Sequence, residues 1–142
     1  QTLVLRKPII SAVNFDDGFR TQSMNVKAGT VPGLDEALAL VIGEAGSYYV
    51  YEDIDFKGIS AVNVTILQHP QYMNGGILEL RMDSVGGAII QSLNIEQGLL
   101  DVGPSDLKFN VSEFEGMHDL YMLFKSEETK PICAVTDIAF LR

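Results

Sequence analysis

The stretch Gly75-Gly-Ile-Leu-Glu-Leu-Arg-Met-Asp83, continuing through Ser84-Val-Gly-Gly87 into Ala88-Ile-Ile-Gln-Ser-Leu-Asn-Ile95, decides the fold. Leu78, Leu80 and Met82 alternate with Glu79, Arg81 and Asp83. Successive strand side chains point to opposite faces, so the alternation predicts a half-buried strand with one apolar side. Gly86 and Gly87 stand where a tight turn asks for positive φ, and the apolar run beyond them reads as the partner strand. The expected element is an antiparallel hairpin that places Leu78, Leu80 and Met82 in the core.

Outward from this hairpin the same period recurs. Val62, Val64 and Ile66 alternate with Asn63 and Thr65, and Leu107, Phe109 and Val111 with Lys108, Asn110 and Ser112. Short β-rich runs cover 2–6, 9–13, 21–27, 47–51 and 134–141; Pro8 makes the first two edge strands, since proline cannot donate to a ladder. The run 118–125 is apolar on both sides after Asp119, which suits a central strand covered on both faces. Residues 35–40 have helical propensity, but the segment is short and ends at Gly43, so a strand over 38–42 is expected. Turn signals recur about every ten residues. The expectation is an all-β chain, a jelly-roll β-sandwich of about nine or ten antiparallel strands in two sheets.

The 142 residues suggest a single domain over 1–142, and 46% hydrophobic content is enough for a core without staples. Ten Lys and Arg against nineteen Asp and Glu give a net charge of −9, which argues against a nucleic-acid or anionic-membrane binder. No apolar run approaches the roughly 18 residues of a membrane helix. A chain starting at Gln1 is expected to be a domain cut from a larger exported protein. Cys133 is the sole cysteine, so no internal disulfide forms, and it reads as a small core residue.

No phosphate loop, dinucleotide fingerprint, zinc spacing or nucleophile elbow is present. His118 precedes Asp119, but adjacent strand residues face opposite ways and cannot form a relay with each other. Acidic pairs such as Asp16-Asp17 and Glu52-Asp53 read as solvated surface rather than as the two acids of a glycosidase. No acid, base or nucleophile constellation emerges, so an enzyme is not expected. Tyr48, Tyr49 and Tyr51 share one strand, so some of them must face outward. An outward tyrosine can stack on a sugar ring while its hydroxyl hydrogen-bonds.

Five segments in order resemble family-six carbohydrate-binding modules, jelly-roll sandwiches of the galactose-binding type. Ile10-Ser-Ala-Val-Asn-Phe-Asp-Asp-Gly18 is similar to the opening strand and turn, and Gly46-Ser-Tyr-Tyr-Val-Tyr51 with Ile54-Asp-Phe56 to the next conserved segments. The hairpin from Gly75 to Gly87, the strand Gly116-Met-His-Asp-Leu-Tyr-Met-Leu-Phe124 and Asp137 near the end complete the pattern. The resemblance implies a non-catalytic, glycan-binding module of a secreted bacterial polysaccharide-degrading or sugar-processing protein. Binding is expected in an end cleft or on a sheet face. Where the family carries its cleft tyrosine, tryptophan loop and asparagine, this chain has Ile42, residues 97–105 and Val135. The expected ligand contacts are therefore the end-loop rim, Ile42, Glu44, Leu100, Asp101 and Val135, or an outward tyrosine, Tyr48 or Tyr49. The resemblance also implies a structural calcium ion at Asp137; the family's partner glutamate is replaced by Val13. The expected partners are an oligo- or polysaccharide and other domains of the same polypeptide, with no nucleic acid and no membrane insertion. The alternative is a structural or protein-interaction sandwich that has lost sugar binding.

Overall fold

The computed structural model describes residues 9–26, 38–67, 75–87, 89–96, 105–111, 114–127 and 131–142. Among them are eleven strands: β1 (Ile9–Ser11), β2 (Asp17–Phe19), β3 (Ser23–Val26), β4 (Leu38–Gly43), β5 (Tyr48–Asp55), β6 (Ala61–Leu67), β7 (Gly75–Met82), β8 (Ile89–Glu96), β9 (Ser105–Asn110), β10 (Met117–Lys125) and β11 (Cys133–Leu141). A short 3-10 turn, Ala12–Asn14, follows β1. The strands form a six-stranded sheet, ordered β3-β4-β11-β6-β9 with β1 also on β11, and a five-stranded sheet ordered β2-β5-β10-β7-β8. Every pairing is antiparallel. This is the expected all-β sandwich in two sheets; the expected run at 2–6 lies outside the described residues.

The interior forms between the inward faces. Leu78, Leu80 and Met82 from β7 meet Val62, Val64 and Ile66 from β6 and Leu120, Met122 and Phe124 from β10, all at most 3% exposed. The hairpin stands as expected, with Leu78 opposite Leu93 and Glu79 opposite Ser92. Its turn works differently. The residue with positive φ is Asp83, at 70°, and Asp is one of the few side chains that accept that region. Gly87 is required instead by crowding, since a Cβ there would lie 2.0 Å from the Met82 carbonyl oxygen. Residues 38–43 are strand, so pairing with β3 and β11 overrides the local helical preference. β10 is central, between β5 and β7. Cys133 is buried, and burial pushes its thiol up.

Polar anchors tie the faces together. The Tyr51 hydroxyl donates to the Ala12 carbonyl at 2.8 Å, fixing the 3-10 turn against β5. Burial, then the neighbouring Tyr49 and Asp16, raises the Tyr51 phenol, so it stays a donor. Tyr51→Phe removes this buried hydrogen bond, and a loss of about 1 kcal/mol in stability is expected by urea denaturation.

Candidate functional site

Among the described residues, the outward face of the five-stranded sheet carries a set of groups suited to a polyhydroxylated ligand. Its residues follow from the strand period. Tyr49 and Tyr51 point into the core, so Tyr48, Val50 and Glu52 point out. On β10, Leu120, Met122 and Phe124 point in, so Asp119, Tyr121, Leu123 and Lys125 point out. On β7, Glu79 and Arg81 point out by the same rule.

Register then sets these side chains in rows across the strands. One row runs Phe19, Tyr48, Leu123, Glu79, Ser92. The next runs Asp17, Val50, Tyr121, Arg81, Ile89. Phe19 and Tyr48 lie near-parallel, centroids 6.0 Å apart at 24°, and Tyr48 and Tyr121 follow at 6.1 Å and 34°. Phe19 is 54% exposed and the two tyrosines are half-buried. Gly18 allows the close approach that brings Phe19 beside Tyr48: a Cβ there would come within 2.5 Å of the Tyr48 carbonyl oxygen.

Beside this aromatic strip sits a buried charge. Glu79 is only 5% exposed although it faces outward. Its Oε1 accepts from Arg81 Nε at 2.5 Å and lies 3.4 Å from Lys125 Nζ. Two cations on one carboxylate offset the desolvation that such burial costs. Arg81 Nη1 also donates to the Gly87 carbonyl at 3.2 Å, tying the ion pair to the β7–β8 turn. The opposite margin is acidic. Glu52 is held above the usual carboxylate range by lost hydration and by the negative charges of Asp119, Asp16, Asp53 and Asp17. Tyr121 is likewise raised, first by desolvation and then by Asp119, and so stays a neutral phenol.

Of the residues the sequence singled out, Tyr48 belongs to this face. Tyr49 does not: it is fully buried, its hydroxyl donates to the Ile42 carbonyl, and the Gln22 N–H donates back to it at 3.0 Å. Val135 is fully buried in the main core. Ile42 is 6% exposed in a second cluster with Leu40, Leu67 and Ala134. Ile42 and Val135 occupy different clusters because Ile42 pairs with Ala134, one residue along β11, so the period sends them to opposite sides. They are not brought together as a rim. Glu44 is partly exposed just beyond β4, and Leu100 and Asp101 lie outside the described residues. Phe19, Tyr121 and Glu79 were not singled out by the sequence; the signal for Tyr121 was its parity with Asp119, obscured by the apolar residues on both sides of β10.

Asp137 is exposed on β11, opposite Ser11 on β1 and Thr65 on β6. No cluster of three or more His, Cys, Asp or Glu residues suited to a metal ion occurs among the described residues. One carboxylate supplies only part of the six or more oxygens that calcium takes, and the position of the family's partner glutamate holds Val13.

A two-sheet β-sandwich with an aromatic strip and a carboxylate on one face has the make-up of a sugar-binding module. The chain belongs to carbohydrate-binding module family 6: the family model, carbohydrate binding module (family 6), matches residues 11–142. The family is one of non-catalytic carbohydrate-binding modules. Among solved structures, a β-1,3-glucan-binding family 6 module from Bacillus halodurans is 19% identical, with a TM-score of 0.76 over 94% of this chain and 95% of that one. A family 6 module from Clostridium cellulolyticum in complex with xylose is 23% identical, with a TM-score of 0.74 over 94% and 96%. A family 43 arabinoxylan arabinofuranohydrolase from Bacillus subtilis is 19% identical, with a TM-score of 0.72; the match covers 94% of this chain and 27% of that one. No curated protein matched in sequence.

Proposed function

We propose that this module binds a neutral glycan chain on the outward face of its five-stranded sheet and thereby holds an attached sugar-processing protein against polysaccharide. The observation that carries the reading is the row of adjacent rings Phe19–Tyr48–Tyr121 beside the buried carboxylate of Glu79. Aromatic rings cover the apolar face of a pyranose, while Glu79 accepts and Arg81 and Lys125 donate to its hydroxyls. Strands lie about 4.8 Å apart, so the span from β2 to β7 is roughly 14 Å, room for a short run of sugar units. The acidic margin of Asp17, Glu52 and Asp119 opposes anionic ligands, as does the net charge of −9.

The two most similar modules above, which bind β-1,3-glucan or xylose, support neutral glycans as the first ligands to test. The Bacillus subtilis hydrolase, in which the matched fold is part of a longer chain, supports a role as one domain of a larger enzyme. A calcium ion near Asp137 has its support in a family 36 neighbour in complex with calcium and xylotriose, so titrations are run with calcium and with chelator.

Calorimetric titration with gluco- and xylo-oligosaccharides is the test. Binding of a neutral oligosaccharide, and at least about tenfold weaker binding of a polyuronate, is the expected result. Tighter binding of the polyuronate contradicts this site. Glu79→Gln is expected to weaken the neutral ligand about tenfold, because the amide both loses an acceptor and leaves Arg81 and Lys125 uncompensated.

A further inference from the structure

His118 fastens the β7–β8 turn in a way that only its charged form satisfies. Its Nδ1 lies 2.9 Å from Asp83 Oδ2, and its Nε2 lies 2.6 Å from the Glu115 carbonyl oxygen. Both partners are acceptors. A neutral imidazole has one N–H and one lone pair, so deprotonation sets a lone pair against an oxygen at one contact or the other. The ring also makes edge contacts with Phe56 and Phe114, which limit its reorientation. Asp83 in turn accepts from the Asp119 N–H at 3.2 Å and donates its own N–H to the Asp119 carbonyl at 2.8 Å. The far end of the same turn is Gly87, whose carbonyl holds Arg81, and Arg81 holds Glu79.

We infer that His118 is a protonation-sensitive latch that sets the β7–β8 turn, and through Arg81 the Glu79 carboxylate, so that glycan affinity on this face falls as the ring loses its proton. The coupling to affinity rests on the site proposed above; the latch itself does not. The charged groups that act on the ring are Asp83 on the turn and Asp119 on its own strand, both acidic; on β5, Asp53 donates its N–H to Asp119 at 3.0 Å and Asp55 pairs with Met117. Asp83 raises the His118 pKa above its ordinary 6.5, and His118 lowers that of Asp83 below 3.8. For the imidazole, raised in the folded state, the stabilisation is complete below about 6.5 and disappears as pH climbs through the folded value. For the carboxyl, lowered in the folded state, it is present above about 3.8 and disappears as pH falls through the folded value. The latch is therefore closed between the two.

The experiment is a pH titration by NMR of the ligand-free protein, with His118 told from His69 by Asp83→Asn. Asparagine accepts the positive φ at position 83, so this variant keeps the turn. The expected result is a His118 midpoint above 6.5, backbone shifts of residues 83–87 following the same midpoint, and a lower midpoint in Asp83→Asn. A His118 midpoint at or below 6.5, or turn amides that ignore it, overturns the latch. Oligosaccharide titration at about pH 5.5 and about pH 8.5 then tests the coupling, with an affinity loss of about fivefold or more expected in the wild type and absent from Asp83→Asn. An equal loss in both proteins overturns the coupling. Absence of glycan binding at either pH overturns the proposed site and the coupling together, leaving the latch decided by the NMR midpoint alone.

Discussion

Replacing Tyr48 and Tyr121 together by alanine is expected to abolish measurable glycan binding while leaving the fold intact. Both rings stand on the outward face, Tyr48 between Phe19 and Tyr121 in the row of aromatic rings. Buried aromatic anchors in a binding surface contribute about 2 kcal/mol or more each when truncated. The pair together therefore costs about 3–4 kcal/mol, a loss of more than about a hundredfold. Neither side chain fills the interior between the sheets, so the melting temperature should move by only a few degrees, as for substitutions outside a core. Calorimetry and a thermal melt on the same sample separate the two effects. Full binding in the double variant moves the ligand off this face.

Phe124→Ala is expected to show the opposite pattern. Phe124 is 1% exposed and packs edge-on against Tyr49 at a centroid distance of 6.0 Å. Its backbone N–H donates to the Ser47 carbonyl at 2.9 Å, and its carbonyl accepts from the Gly46 N–H at 3.0 Å, so the strand around it is held and cannot collapse to fill the hole. Truncating a buried phenylalanine costs about 3–5 kcal/mol. The melting temperature is expected to fall on the order of 10 °C, with glycan affinity, measured well below the melt, little changed. A shift of only a degree or two places Phe124 outside the cooperative core.

The sequence and the structure agree most closely where a residue's role depends on parity along its own strand. Leu78, Leu80 and Met82 needed only alternation to be placed inside. The strand at 38–43 needed more, because local propensity favours helix there and only pairing with β3 and β11 overrides it. The chemistry of the site was less legible for three physical reasons. Tyr48 and Tyr49 differ by one residue, so alternation says that they part but not which one is buried; the Tyr49 hydroxyl finds two backbone partners inside, and that decides it. Glu79 reads as solvated polar surface, and its burial arises from Arg81 and Lys125, the latter on another strand. The aromatic strip joins β2, β5 and β10, which are far apart in sequence and adjacent only through register. The resemblance to the family located its scaffold correctly, while the end rim inferred by substitution at its cleft positions placed Ile42 and Val135 where packing removes them from solvent.

Histidine shows the same contrast. Period-two reasoning separates His118 from Asp119, its neighbour in sequence, and the structure agrees. The carboxylate it meets belongs to Asp83, brought in by the pairing of β10 with β7. Contacts of that kind depend on topology, which local pattern leaves undetermined.

The most direct test of the glycan face is amide chemical-shift mapping during titration with a neutral oligosaccharide. Saturable shifts at Phe19, Tyr48, Tyr121 and Glu79, carried by β2, β5, β10 and β7, are the predicted result. Shifts confined to the end of the sandwich around Ile42, Glu44 and Ala134, with the outward face of the five-stranded sheet silent, would contradict it.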